Sequence, residues 1–147
     1  MKNTKISTTV GLIICGLISS TSVLSNSRDF LPYKQAVLGV SACIDMAIEA
    51  KANVAIVVID RADQIIASAR MDEVLPAAYE GAGLKAYSAL NFFQPSGSIA
   101  PIMESFPVFK DIPRIVTIPG GHPVFSSNNA LIGSVGVAGF PLSLIHI

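Results

Sequence analysis

Val54-Ala-Ile-Val-Val-Ile59 is a continuous apolar run dominated by β-branched residues. The run is too short for a helix and contains no polar residue, so it predicts a central strand that is buried on both faces. Asp60-Arg-Ala-Asp63 then turns the chain, and residues 64–71 return as a second strand. Because the loop length suits a β-hairpin, the sequence predicts an antiparallel sheet that contains this pair.

Two helical patterns flank the hairpin. Phe30-Leu-Pro32 opens the first helix, which we expect to reach Lys51 because apolar residues recur at three- and four-residue steps. Pro76 opens the second helix, which we expect to end near Phe93. One stripe of the second helix is small, and its members are Ala78, Ala82, Ala86, Ala89 and Phe93. Such a stripe allows the helix to lie close against a sheet or a second copy of itself.

The second half of the chain predicts further strands. Prolines at 95, 101, 107 and 113 indicate an irregular connection, with one short helical turn around residues 102–106. Strands are then predicted over Arg114–Ile118, His122–Phe125 and Ala130–Ala138, with turns at Pro119-Gly-Gly121 and Asn128-Asn129. The patterns together predict an α+β domain in which an antiparallel sheet of about five strands is flanked by helices.

The first 25 residues have the order of a secretory signal peptide. Lys2 and Lys5 precede an apolar core, Val10–Ile18, and a small, polar run follows over residues 19–25. The core of nine residues is shorter than the roughly 20 that a membrane-spanning helix needs. We therefore expect an exported protein, with a buried or amphipathic N-terminal helix as the alternative. Cleavage after residue 22, 25 or 27 remains open.

Composition excludes some classes of function. The ten basic and ten acidic residues balance, and removal of Lys2 and Lys5 with the signal would leave a net charge of about −2. Nucleic-acid binding needs clustered basic residues, and no such cluster is visible. Cys15 would leave with the signal, so Cys43 has no cysteine to pair with inside the domain. Cys43 lies on an apolar helical face, which favours a small buried hydrophobe over a reactive or intermolecular thiol.

No motif in the chain is by itself a catalytic signature. Gly133-Ser-Val-Gly-Val-Ala-Gly139 has the glycine spacing of a dinucleotide loop, but it lies within a strand-like run instead of between a strand and a helix. We interpret these glycines as points of close backbone approach within the sheet. Gly81 and Gly83 each cost the second helix about 1 kcal/mol relative to alanine unless close packing requires them.

Several short segments follow one another in a specific order. They are Val58-Ile-Asp60, Ala69-Arg-Met-Asp72, Gly83-Leu-Lys-Ala-Tyr-Ser-Ala89, Phe93-Gln-Pro-Ser96, Pro119-Gly-Gly-His-Pro123 and Ile132-Gly-Ser-Val-Gly-Val-Ala-Gly139. Over about residues 32–140 this order resembles the GlcG/HbpS family, the heme-degrading or heme-binding domain that also forms the C-terminus of PduO-type proteins. The resemblance implies a profilin-like fold that assembles into dimers or larger oligomers.

The sequence departs from the family pattern at two places. Asp63 stands in the hairpin turn where the family usually has glycine, and aspartate tolerates a left-handed backbone better than most residues. After residue 140 the family continues into a C-terminal helix, whereas this chain has the atypical tail 141–147. We therefore expect that helix to be missing and an apolar sheet face to be uncovered.

The resemblance directs the search for site residues toward heme, which needs apolar walls, an axial donor and a cation near the propionates. His122 is the candidate iron ligand, since His146 lies in the atypical tail. Tyr79 and Tyr87 are candidate heme contacts, with packing on the helix surface as the alternative. Arg70 and Lys85 are the candidate cations. As an alternative, Arg70 forms a structural ion pair with Asp60 or Asp72. The alternative for Lys85 is a contact at an interface. Asp60 itself is suited to a turn.

The leading hypothesis is an exported heme-binding protein of the HbpS-like type, with or without a part in oxidative heme breakdown. Its rival is a module that binds a small carboxylate or a corrinoid-related ligand as an accessory to a metabolic enzyme. The predicted signal peptide favours the first, since accessory roles of the second kind are cytoplasmic. A third hypothesis is a structural, oligomer-forming module with no ligand.

Overall fold

The computed structural model describes residues 29–141, and its elements follow the predicted order. The helices are α1, Tyr33–Glu49; α2, Pro76–Phe92; and α3, Ala100–Ser105, and the strands are β1, Ala52–Asp60; β2, Ile65–Arg70; β3, Gly121–Phe125; and β4, Leu131–Pro141. Two short 3-10 helices span Ser96–Ser98 and Pro107–Asp111. The predicted signal peptide, His146 and the tail beyond residue 141 lie outside the described residues. None of the helices within 29–141 is long and apolar enough to cross a membrane.

The sheet is antiparallel throughout, with the strand order β2-β1-β4-β3. The predicted central strand is confirmed, because β1 pairs on both sides and its residues Ala55–Ile59 are at most 3% exposed. The β1–β2 turn is closed by Asp60, whose Oδ1 accepts from the backbone N–H groups of Ala62 and Gln64. Asp63 in this turn adopts the left-handed conformation, with φ of 60°.

One predicted strand is wrong. Residues 115–118 run between α3 and β3 but join no strand of the sheet, which therefore has four strands within the described residues. The backbone N–H of Val116 donates to Ser88 Oγ at 2.8 Å, and Ser96 Oγ donates to the carbonyl of Ile118 at 2.6 Å. Side-chain hydroxyl groups on α2 and the 3-10 turn after it thus occupy the backbone groups that a neighbouring strand would use.

Each face of the sheet has its own helix. α2 lies over β4 and β1, and three members of its small stripe, Ala82, Ala86 and Ala89, are fully buried. α1 packs on the opposite face against β1 and β2. Phe93, the last predicted member of the stripe, lies outside it, because the chain leaves the helix there in a left-handed turn (φ 57°) and the side chain is 63% exposed.

The glycines of β4 bring backbones into close contact, as the sequence predicted. A Cβ on Gly136 would overlap the carbonyl oxygen of Ala82, so α2 rests directly on β4 at this point. Gly133 and Gly139 approach the backbone of the neighbouring strand β1 in the same way. Ser134 Oγ, fully buried, donates to the carbonyl of Ala86 at 2.7 Å and ties the same helix to the strand.

The two glycines within α2 have a different environment. A Cβ on Gly83 would meet no atom within 4 Å, and one on Gly81 would lie 3.9 Å from the Cβ of Ala138, an ordinary contact. Close packing therefore requires neither of them.

These environments predict opposite effects for two glycine-to-alanine substitutions. Gly136→Ala should lower the free energy of unfolding by about 3 kcal/mol or more, because neither backbone can give way. Gly83→Ala should raise it by about 0.5–1 kcal/mol, since alanine is the better helix former. Urea denaturation of both variants measures the two changes. A Gly136→Ala protein as stable as the wild type would show that α2 does not rest on β4 in this way.

Candidate functional site

Lys85 supports the turn that precedes β3. It is half-buried on α2, and its Nζ donates to the carbonyl of Val137 at 3.1 Å, beside Gly120. Gly120 has φ of 120°, and the next residue, Gly121, packs directly on the carbonyl of Lys85. Burial lowers the pKa of the Lys85 ammonium. The ammonium group thus has a structural partner and retains two further N–H donors.

The same turn is fixed by Ser96, which the sequence did not single out for this role. Besides its bond to Ile118, Ser96 Oγ accepts from the backbone N–H of Gly121 at 2.9 Å, and the residue is fully buried. A buried hydroxyl with both a donor and an acceptor partner holds two backbone segments in register. Its role depends on contacts 22 and 25 residues away, so no local pattern could reveal it.

His122 lies on the other face of the sheet. Its neighbour Gly121 faces α2, and side chains alternate along a strand, so His122 faces away from α2. Its cross-strand partner is Val135, and Val124 and Val137 lie on the same face. All three valines are half-buried, whereas His122 is exposed. Since α1 packs against β1 and β2, the imidazole stands on an apolar part of the sheet beside that helix.

Arg70 and Tyr79 lie together at the other edge of the sheet. Arg70 is exposed, and its Nη1 donates to the carbonyl of Val74 at 3.2 Å, while the Tyr79 hydroxyl donates to Ser68 Oγ at 2.8 Å. With Pro76 and Glu80 they line a cleft of about 300 Å³. Within the described residues the one ion pair is Arg114–Asp63, so Arg70 pairs with neither of the two aspartates that were its structural alternatives.

Tyr87 forms part of a clasp on the surface of α2. The guanidinium of Arg114 stacks over the Tyr87 ring, 4.0 Å from its centre, and forms an ion pair with Asp63 at 2.6 Å. Both Arg114 and Asp63 have positive φ. The hydrogen bond that Arg114 donates to the Asp63 carboxylate raises the pKa of the guanidinium above its usual value. The ring therefore connects α2 to the β1–β2 turn through Arg114.

The candidate residues thus occupy four separate places within one copy of the chain, one of which is the Tyr87 clasp. Arg70 and Tyr79 share the cleft at β2, Lys85 lies on the β3 side of α2, and His122 lies on the opposite face of the sheet. The structure does not bring the two cations to the histidine. Their roles as ligand-binding residues stay predictions.

Cys43 lies within the apolar cluster on the α1 face. It is half-buried, free, and packed against that cluster, and burial raises the pKa of its thiol. A raised pKa keeps the thiol protonated and poorly nucleophilic near neutral pH. Residues 29–141 contain no group of three or more histidine, cysteine or acidic side chains placed to hold a metal ion.

A cavity of about 450 Å³ lies between α3, the 3-10 turn after it and the segment 115–118. Its apolar lining includes Met103, Phe109, Ile115 and Ile118, and Glu104 and Lys110 add one charge of each sign. Phe109 is held by an edge-to-face contact with Phe92 at 5.8 Å. No local sequence pattern indicates this cavity, because it depends on the predicted strand Arg114–Ile118 remaining outside the sheet.

Residues 31–143 match the family model described as haem degrading protein HbpS-like. The chain belongs to the HbpS-like family. A search of curated proteins found no match.

Solved structures agree with this assignment. The crystal structure of HbpS is 30% identical with a TM-score of 0.71, and the alignment covers 77% of this chain and 79% of that one. A double mutant of HbpS from Streptomyces reticuli is 26% identical with a TM-score of 0.72, covering 92% and 88%. PduOC, crystallised as a heme complex, is 18% identical with a TM-score of 0.68, covering 78% and 86%, and shows a shared fold. The predicted α+β architecture and family are confirmed.

Proposed function

We propose that this HbpS-like protein binds heme and that it does so outside the cytoplasm. Membership in a family described as haem degrading supports a heme-related role, and PduOC, which has the same fold, was crystallised with heme. The observation that carries the proposal for this chain is the position of His122, an exposed imidazole on an apolar part of the sheet.

The residues around His122 fit what heme requires. A neutral imidazole nitrogen is a common axial ligand of heme iron, and the half-buried side chains of Val124, Val135 and Val137 offer a wall for the macrocycle. Bound heme would supply a redox-active iron, and the chain would hold and orient it from one side. Among residues 29–141, His122 is the one histidine, so the proposal covers heme binding, and oxidative breakdown is measured separately.

The propionates need cations, and within one copy Arg70 and Lys85 lie away from the His122 face. We therefore propose that, if either residue pairs with a propionate, it belongs to a neighbouring copy in a homo-oligomer. Arg70 is the better placed, because it is exposed and only one of its five N–H donors has a partner among the described residues. Lys85 is already bound to the Val137 carbonyl.

Titration with hemin tests the proposal. The wild-type protein should give a saturable Soret shift at near-stoichiometric heme. His122→Ala should move the Soret band, change the spin state and weaken binding by roughly tenfold or more, because an axial nitrogen is lost. Gln35→Ala, on the exposed side of α1, is the matched control and should behave as wild type. Loss of the Soret band after reductant and oxygen are added would show that the protein also breaks heme down.

The outcomes distinguish heme binding itself from the assignment of His122 as the iron ligand. A featureless, non-saturating titration would remove heme binding altogether. Wild-type spectra in His122→Ala would leave heme binding standing and remove His122 as the iron ligand. Arg70→Ala and Lys85→Ala should each weaken binding by roughly tenfold or more, at about 1.5–3 kcal/mol per charge-assisted contact, if the residue pairs with a propionate.

Export is proposed from the sequence of residues 1–25. N-terminal sequencing of protein recovered from the periplasm or medium should give a chain that begins just after residue 22, 25 or 27. A variant with Lys2 and Lys5 both changed to glutamate should be processed poorly, because the positive n-region is lost. Recovery of wild-type protein that still begins at Met1 would contradict export.

A further inference from the structure

Phe93 is held in an unfavourable backbone conformation. It follows α2 with φ of 57° and ψ of 24°, in the left-handed region. Helices commonly end in this conformation, but the residue there is usually glycine, because a Cβ crowds the following carbonyl oxygen. The Phe93 side chain gains little from burial in return, since it is 63% exposed. Backbone strain of this kind is concentrated at functional sites, where the surrounding structure enforces it.

The Phe93 side chain lines a cleft of about 450 Å³ at the end of the sheet, where α2 ends and β4 begins. Leu90 and Leu131 form part of its apolar lining, and both pack in the cluster between α2 and the sheet. Arg61, from the β1–β2 turn, and Asn91 are the polar members of the lining. An apolar wall with a few polar groups is the composition of a small-molecule site.

Arg61 is the one charged side chain that lines this cleft. Within residues 29–141 the one ion pair is Arg114–Asp63, so Arg61 forms none. The acidic residues of its own turn have other partners, because Asp63 pairs with Arg114 and Asp60 Oδ1 accepts from two backbone N–H groups. The guanidinium of Arg61 therefore offers its N–H donors to an anion.

We propose that this cleft binds a small aromatic carboxylate, with Arg61 paired to the carboxylate and Phe93 stacked on the aromatic ring. The planar fork of an arginine fits a carboxylate with two parallel hydrogen bonds. An exposed phenylalanine offers a second ring the offset or edge-to-face contact that aromatic groups favour. Asn91 Nδ2 donates to the carbonyl of Tyr87 at 2.8 Å, which leaves the amide oxygen as an acceptor for a hydroxyl group of the ligand.

A second cleft adjoins Arg61 on the α1 face of the sheet. Its volume is about 350 Å³, and its lining includes Phe30, Tyr33 and Ile132. The carboxylate of Asp60 also lines this second cleft, and its negative charge opposes an anion there. The lining of the cleft at Phe93 includes no acidic residue, so charge complementarity favours that cleft.

Titration of the heme-free protein with 2-naphthoate, followed in ¹H–¹⁵N spectra, tests the site. The amide signals of Arg61, Phe93 and Leu131 should shift and saturate. 2-Naphthamide has the same rings without the charge and should bind roughly tenfold or more weakly, because a charge-assisted contact is lost. Arg61→Gln should weaken the binding of 2-naphthoate by the same factor. Lys51→Gln removes a cation at the other end of β1 and, as the matched control, should bind as wild type.

Phe93→Gly distinguishes a ligand-binding role from a structural one. Glycine suits the left-handed conformation, so this variant should melt at or above the wild-type temperature. Its affinity for 2-naphthoate should nevertheless fall by roughly fivefold, because the stacked ring is lost. Tyr33→Ala, which removes an exposed aromatic side chain of the second cleft, is the control and should keep the wild-type affinity.

Four results would overturn the proposal: no saturable shifts with 2-naphthoate, shifts centred on the second cleft, wild-type affinity in Arg61→Gln, or wild-type affinity in Phe93→Gly. A lower melting temperature of Phe93→Gly would contradict the strain from which the site is inferred. The cleft lies on the α2 side of the sheet and His122 on the other side, so each of these results leaves the heme proposal unchanged.

Discussion

The rest of the structure depends on the contact between Gly136 of β4 and the carbonyl of Ala82 on α2, where backbone meets backbone with no side chain between. The contact sets the height of the helix above the sheet. At that height Ser134 reaches the Ala86 carbonyl and Lys85 reaches the Val137 carbonyl. If α2 lay farther from the sheet, both hydrogen bonds would be lost and a gap would open between α2 and β4. Gly136 therefore determines how closely α2 packs on the sheet.

Because α2 packs directly on β4, we propose that heme binds on the opposite face of the sheet. Buried alanines fill the space between α2 and the sheet, and the cation on that side, Lys85, is bound to the backbone. His122 stands where α1 does not lie, beside the half-buried Val135 and Val137. We propose that the surface around His122 binds heme and that, if Arg70 or Lys85 pairs with it, that residue comes from a second copy.

Sequence patterns correctly predicted the strand, turn and helix start that depend mainly on neighbouring residues. The run Val54–Ile59, the Asp60 turn and the start of α2 at Pro76 follow from periodicity and turn chemistry, and each is present. The strand predicted at Arg114–Ile118 failed because Ser88 and Ser96, distant in sequence, bind its backbone. Within one copy the structure does not bring Arg70, Lys85 and His122 together, for a related reason. Residue type identifies a possible ligand, but only the strand pairing determines which face each side chain occupies.

The position of bound heme is the most direct test of this account. In ¹H–¹⁵N spectra, ferric heme broadens the amide signals nearest the iron, and the zinc porphyrin of the same shape serves as the diamagnetic reference. The account predicts broadening centred on residues 121–124 and on Val135 and Val137, with the amides of Ala82 and Ala86 affected less. Broadening centred on α2 or on Arg70, with the signals of β3 left sharp, would contradict it.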